Sequence, residues 1–319
     1  MISNMNKYQI SKSPTLERLN LGNSIEGLKN KETGQRIWEI DFLRGFFFFG
    51  VILYHFAWDF TFFPTLFSNW YEMSSIYVGL NSLSRICNEI LRKDYMLYFV
   101  NFFSGGFLFI TGVSCSLSHS NLLRSIKISL VALLITLVTY LGSITTGDDM
   151  TIIFGILHCM GLSLLIYSIF ELICKYIKIK ISPWVLLIIG LGMTGYGMYI
   201  EYAMVYRVYS TAMLTPSIFM KVVLGFAYTY NDDFGLLPNM GKILVGIAIG
   251  KWLYDGKRDK KSVLPKLDGK WNKPVCLIGR HTFLVYIIHQ PIIWIVVISI
   301  LFALGYSCLL YTSPSPRDR

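Results

Sequence analysis

Of 319 residues, 54% are hydrophobic and only 15% charged, whereas a soluble domain carries roughly 25% charged residues. That balance excludes an ordinary soluble globular class, and the net charge of +10 has to be placed along the chain before it is read as affinity for nucleic acid. Six cysteines (Cys87, Cys115, Cys159, Cys174, Cys276, Cys308) are scattered without a C-x-x-C pair, so neither a disulfide framework nor a metal site is indicated.

Residues 1–36 are polar and mixed in charge, and they carry no apolar core of a cleavable signal. They are expected to form a cytoplasmic tail, followed by one membrane domain over 37–305, since no Pro/Gly/Ser-rich linker divides the apolar region. Crossing about 30 Å of hydrocarbon takes about 20 apolar residues. Seven runs qualify: 45–63, 99–118, 125–142, 151–174, 183–203, 236–254 and 282–304. The expected fold class is therefore all-α, a polytopic integral membrane protein of about seven transmembrane helices with interfacial or re-entrant helices.

Charge placement orients these spans. With the N-terminus inside, the segments 1–44, 119–124, 175–182 and 251–281, with Lys127 at a span edge, hold 21 Lys and Arg. The opposite loops hold five, Arg85, Arg92, Lys93, Arg207 and Lys221, together with Asp148, Asp149, Asp232 and Asp233. This is the positive-inside pattern, and it accounts for the net charge without nucleic acid. An eighth span at 212–228 would move the basic 251–281 loop outside, so that segment, with Pro216 and Lys221, is expected to be re-entrant or interfacial.

Two outer segments have their own character. In 72–93, Met73, Ile76, Tyr77, Leu80, Leu83, Ile86 and Ile90 recur every three or four positions, as in a helix lying on a membrane. Tyr196, Tyr199, Tyr202, Tyr206 and Tyr209 form a helical stripe, either a headgroup belt or a stacking surface for a sugar. At the end of the chain, Leu309–Arg319 resembles a translated sequencing-adapter scar, and 306–319 is set aside as non-native.

Polar groups at membrane depth are costly and mark function. His55, His158 and His289 lie on the first, fourth and seventh spans, His55 about 16 Å from Arg44 at 1.5 Å per residue. Each alone reads as a packing residue; three at similar depth point to a shared polar cavity. Asp59 is the i+4 neighbour of His55 and shares its helix face, either as a buried ion pair or as the carboxylate that orients a general base. Arg44 and Arg280 sit at the inner mouth, where they either anchor the chain to the leaflet or hold phosphates with their guanidinium forks. Asp41 is placed to cap the first helix and pair with Arg44. Lys242, inside the sixth span, is expected to snorkel to the outer surface. Gly105, Gly106, Gly112 and Gly246-x-x-x-Gly250 are expected to let helices approach closely.

Several motifs lie in order along the chain: Arg36-Ile-Trp-Glu-Ile-Asp-Phe-Leu-Arg-Gly45 running on to His55, Phe103-Ser-Gly-Gly-Phe-Leu-Phe-Ile-Thr-Gly-Val-Ser114, Ile153-Phe-Gly-Ile-Leu-His158, Asp233-Phe-Gly-Leu-Leu-Pro238 and Gly279-Arg-His-Thr-Phe-Leu-Val-Tyr-Ile-Ile-His-Gln-Pro291. Together they resemble the heparan-α-glucosaminide N-acetyltransferase catalytic-domain family over roughly 36–295. Asn239 stands where that family has Trp, Gly235 where it has Pro, and His55 where its lysosomal members have Asn.

The resemblance implies an acyltransferase that moves an acetyl group from cytosolic acetyl-CoA to an amine or hydroxyl of an extracytoplasmic acceptor, without a metal. On that reading Arg44 and Arg280 hold the donor, His55 oriented by Asp59 is the base, and His158, His289 and Asp233 contact the acceptor or the oxyanion. Direct transfer and an acetyl-histidine intermediate both stay open. The adapter-like tail points to environmental sequence and a bacterial plasma membrane, so the expected acceptor is an envelope glycan or lipid-linked sugar rather than heparan. The competing class is a proton-coupled permease, which also uses intramembrane His and Asp, but no inverted repeat is visible.

Overall fold

A computed structural model describes residues 37–147, 149–203, 206–207, 214–229, 232–254 and 262–307. The N-terminal tail, Asp148, Tyr209, residues 255–261 and the adapter-like segment lie outside the described residues.

In chain order the helices are α1 (Trp38–Leu66), α2 (Trp70–Ser74), α3 (Val78–Leu91), α4 (Tyr95–Val113, extended by a 3-10 turn to Leu117), α5 (Asn121–Thr146), α6 (Ile156–Tyr176), α7 (Pro183–Ala203), α8 (Pro216–Leu224), α9 (Leu236–Tyr254), α10 (Lys273–Arg280) and α11 (Thr282–Ala303). Two short strands, β1 (Tyr206–Arg207) and β2 (Ala227–Tyr228), pair in parallel. Seven helices, α1, α4, α5, α6, α7, α9 and α11, are long and apolar enough to cross a membrane, and they fall on the seven apolar runs. The protein is an all-α polytopic membrane protein.

Helix ends follow local chemistry. Glu39 and Asp41 lie in the first turn of α1, where they complement the helix dipole. Ser120 caps α5 by accepting from Leu123 N at 3.2 Å, and Gly147 closes it at φ +80°. In α8, Thr215 is the N-cap, Pro216 opens the helix and Gly225 ends it at φ +91°. Its nine residues reach about 14 Å, half the hydrocarbon thickness. By itself a helix of this length is too short to cross.

The spans alternate, so that the start of α1, the end of α4, the start of α5 and all of α10 meet at one end. Residues 232–236 and the start of α6 meet at the other. α9 packs against α7, α4 and α6, and α1 packs against α4, α10 and α11. Phe48, Leu108, Leu164, Ile243 and Ile247 from four of these helices form the central core. α5 and α11 present the most surface, much of it Leu and Ile, which is the exterior that lipid solvates.

Glycine sets two close crossings. Gly279 of α10 lies against the Asp41 carbonyl and Gly45 of α1 against the Val275 carbonyl. At the second, Gly112 of α4 meets the Ile243 carbonyl, while Gly246 and Gly250 of α9 meet the carbonyls of Phe109 and Val113. No side chain fits at these five positions.

Two expectations need adjustment. The helix expected over 72–93 is two helices broken at 75–77, and α3 packs on α1 through Leu80, Leu83 and Cys87, leaving Ile86 and Ile90 outward. The boundary drawn at 305/306 is too early. Tyr306 is buried against Trp70 and Phe67, and Ser307 exchanges hydrogen bonds with Ser68 and Asn69, so both belong to the packed domain.

Candidate active site

Arg44 rises from the first turns of α1 into the crossing with α10. Its guanidinium donates to Asp41 Oδ1 (3.3 Å), to the Gly279 carbonyl (3.4 Å) and to Ser114 Oγ (2.7 Å). The other oxygen of Asp41 accepts from Arg280 Nε at 3.2 Å. One carboxylate thus ties together the two arginines that the sequence places at the mouth, and the group keeps a net positive charge.

These arginines border a cavity of about 510 Å³ that also receives His119, Arg124 and Lys127. The sequence reading used Arg124 and Lys127 only for orientation. Their i, i+3 spacing directly after the Ser120 cap was a signal that both share one face of α5. Four Lys and Arg side chains, Arg44, Arg124, Lys127 and Arg280, thus line one pocket and make its surroundings electropositive.

The inner wall of the cavity is Phe107, Leu157, Met160 and Tyr286, and beyond Tyr286 lies a pair of imidazoles. The rings of Tyr286 and Phe48 are each 5.5 Å from His289, and the rings of His55 and His289 are 5.2 Å apart. His289 Nδ1–H donates to the Tyr286 carbonyl at 2.6 Å. Its Nε2 therefore carries the lone pair, and that atom is buried with no partner among the described residues. His55 has the opposite arrangement: the Gln290 amide nitrogen donates to its Nδ1 at 3.3 Å, which leaves the ring proton on Nε2.

Asp59 does not pair directly with His55. Its Oδ1 accepts from Trp294 Nε1 at 3.0 Å, and its Oδ2 is buried without a partner among the described residues. The physical reason lies in the neighbouring helix. Gln290 and Trp294 are themselves an i, i+4 pair on α11, and they face the His55 and Asp59 pair of α1 residue for residue.

His158 joins a different network. Its Nδ1 accepts from Gly155 N at 3.2 Å, closing the first turn of α6, and its Nε2 lies 2.9 Å from Thr136 Oγ1 on α5. One ring nitrogen closes the first turn of α6 and the other fastens α6 to α5. Asp233 accepts from the Thr229 backbone N–H, and its Oδ1 is buried without a partner among the described residues.

The neighbouring Asp232, not singled out from sequence, sits at φ +36° and accepts from the Ile156 N–H at the start of α6. Its carboxylate fills the space beside Gly155. Burial pushes both Asp232 and Asp233 up to about 6.

The fold and site together define a polytopic membrane protein with a cationic cavity at one end and, behind its Tyr286 wall, a buried His289 paired with a half-buried His55. The chain belongs to the family described as heparan-alpha-glucosaminide N-acetyltransferase, catalytic, which matches residues 36–84 and 73–291. It is accordingly a membrane acyltransferase by family. Neither a curated protein nor a solved structure matches it significantly.

Proposed function

We propose that this protein transfers an acetyl group from acetyl-CoA, entering at the Arg44 and Arg280 end, to an amine or hydroxyl of a sugar-type acceptor entering at the Asp232 end. The observation that carries this reading is the cationic cavity walled by Tyr286, whose ring packs against His289, an imidazole with a buried Nε2 that has no partner among the described residues. The positive-inside pattern supports placing the cationic end in the cytoplasm, where the donor is.

Arg124, Lys127, Arg280 and Arg44 hold the donor phosphates, and Phe107, Met160 and Tyr286 line the passage for the pantetheine arm. His289 Nε2 takes the proton of the acceptor nitrogen or oxygen as that atom bonds to the thioester carbon. His55 Nε2–H meets the oxygen that becomes negative. When the carbon–sulfur bond breaks, His289 returns the proton to the departing sulfur, giving acetylated acceptor and free CoA thiol. The sequence reading gave the base to His55, and the hydrogen bonds favour His289 for that role. Asp59 and Gln290 position His55; Asp232 attracts a cationic acceptor. His158 positions α6 and the Asp232 segment.

The test is incubation of the purified protein with labelled acetyl-CoA and fractionated envelope glycans. Acceptor-dependent label in a glycan fraction supports the reading, and donor binding without transfer to any fraction counts against it. Rapid quenching with donor alone separates the two chemical routes, since label retained on the protein marks an acetyl-histidine.

A further inference from the structure

Lys242 lies on α9 six residues after its start at Leu236. Helical side chains lean toward the N-terminus, so its ammonium sits back at the level of Asn239. There Nζ donates to the side-chain oxygens of Asn239 and Asn101, both at 3.0 Å. Each amide is fixed in that orientation, because its nitrogen donates one turn back: Asn239 Nδ2 to the Gly235 carbonyl (2.9 Å) and Asn101 Nδ2 to the Leu97 carbonyl (3.1 Å). The Lys242 stem lies across Gly105, where a Cβ would stand 3.2 Å from Cδ. The side chain is held between helices and does not swing to the surface.

Among the described residues the ammonium has no ion-pair partner. An ammonium has three N–H donors, two of which go to neutral amide oxygens. Glu201 acts on Lys242 only from farther away.

Lys242 borders a cavity of about 330 Å³ whose other walls include Phe47, Phe102, Phe109, Leu191 and Val245. Phe102 and Leu191 stand on the exposed surface of their spans. The mouth therefore opens sideways toward hydrocarbon, where a soluble anion has no route and an amphiphile already in the bilayer does.

We propose that this cleft is a lateral binding site for an anionic lipid, whose chain lies along Phe102, Phe109 and Leu191 and whose phosphate pairs with Lys242. The site is separate from the imidazole pair and does not depend on the acyl-transfer reading.

Native mass spectrometry of the full chain, released from micelles containing equal phosphatidylglycerol and phosphatidylcholine, tests this. One phosphatidylglycerol is expected to be retained in preference to phosphatidylcholine. Lys242→Gln is one atom shorter but keeps an N–H donor while removing the charge, and is expected to lower that occupancy roughly tenfold, the scale of one charge-assisted hydrogen bond. Leu191→Trp fills the mouth while leaving Lys242 in place, and is expected to lower it similarly. Millimolar inorganic phosphate is expected to displace nothing. Wild-type occupancy in either folded variant overturns the proposal, as does displacement by free phosphate, which would make the site a simple anion hole. If Lys242→Gln does not fold, Leu191→Trp decides alone.

Discussion

The imidazole of His55 on α1 lies 5.2 Å from that of His289 on α11, and the bonds on each ring give the two complementary protonation. His289 is fixed by its own backbone turn, so its Nε2, which has no partner among the described residues, carries the lone pair. His55 is fixed from across the interface by Gln290. On the proposed reading, these two rings behind the Tyr286 wall of the cationic cavity supply a base and a hydrogen-bond donor for acyl transfer.

Donor binding is expected to weaken about tenfold to a hundredfold in Arg124→Ala and in Arg280→Ala, since a hydrogen bond to a charged group contributes about 1.5–3 kcal/mol. Arg280→Lys should recover part of the loss, supplying charge without a fork. Arg44→Ala is expected to weaken binding and also to lower stability, because Arg44 links Asp41, Gly279 and Ser114. Calorimetric titration with acetyl-CoA, beside thermal-shift measurements on the unliganded variants, separates the two effects. Unchanged affinity in both Arg124→Ala and Arg280→Ala would place the donor elsewhere.

Asp232 and Asp233 give the protein a pH dependence of defined sign. Burial pushes each carboxyl from 3.8 up to about 6, so between those values the folded protein keeps protons that the unfolded chain has released. Stability is then expected to fall as pH rises from about 4 to about 6, and to stay lower above that. Asp232→Asn should flatten its share of the slope. Melting temperatures of wild type and variant across this window check it, and a wild-type stability that rises with pH here contradicts the assignment.

Topology has its own test. The five described cysteines are buried, so in a background lacking Cys308 a single exposed cysteine reports one side. Tyr71→Cys, at the Asp232 end, is expected to react with an impermeant reagent added to intact cells, and Lys266→Cys is expected to react only after lysis. The reverse pattern would put the cationic cavity outside, away from cytosolic acetyl-CoA.

The seven spans were legible because a membrane imposes length and apolarity on each segment independently. The histidines on the spans, His55, His158 and His289, stood out for the same reason. What each one touches was not, because helical spacing gives a face and not the neighbour that covers it. Asp59 shares a face with His55, yet Trp294 on another helix takes its carboxylate. His158 has the right depth but is used by Thr136 and Gly155. Asp232 and Asp233 are adjacent in sequence, and a positive φ at Asp232 turns the two carboxylates to different partners. Arg124 and Lys127 were counted as charges, and only the packing of α5 brings them to the cavity.

The crossing of α1 and α10 sets the mouth geometry, and glycine substitutions there probe it. Gly279→Ala drives a Cβ into the Asp41 carbonyl and is expected to cost about 1–3 kcal/mol through forced backbone shifts, with weaker donor binding because Asp41 and Arg280 move apart. Gly142→Ala, on α5 with open space around it, is expected to be neutral or slightly stabilising. Equal melting temperatures for the two variants would mean that the close crossing does not constrain the fold.

The imidazole pair supplies the sharpest prediction. His289→Ala removes the proposed base and is expected to lower the transfer rate by about 10²–10⁴-fold. His55→Ala removes one hydrogen bond to the developing oxyanion, an effect of about 10²–10³-fold. Asp59→Asn still accepts from Trp294 while losing its charge, so the site keeps its shape and activity is expected to fall only in part. His158→Ala removes a helix cap and the link to Thr136, so its loss should appear mainly in melting temperature. Transfer is measured for all four at matched expression and matched donor affinity, with a pH profile for His289→Ala and His55→Ala. The distinguishing result is the profile: His55→Ala should retain the wild-type basic limb at lower amplitude, whereas His289→Ala should lose the limb that reports the base. If His289→Ala keeps a normal rate and profile while His55→Ala does not, the base is His55. If both keep them, the paired imidazoles only pack, and the chemistry lies in another part of the molecule.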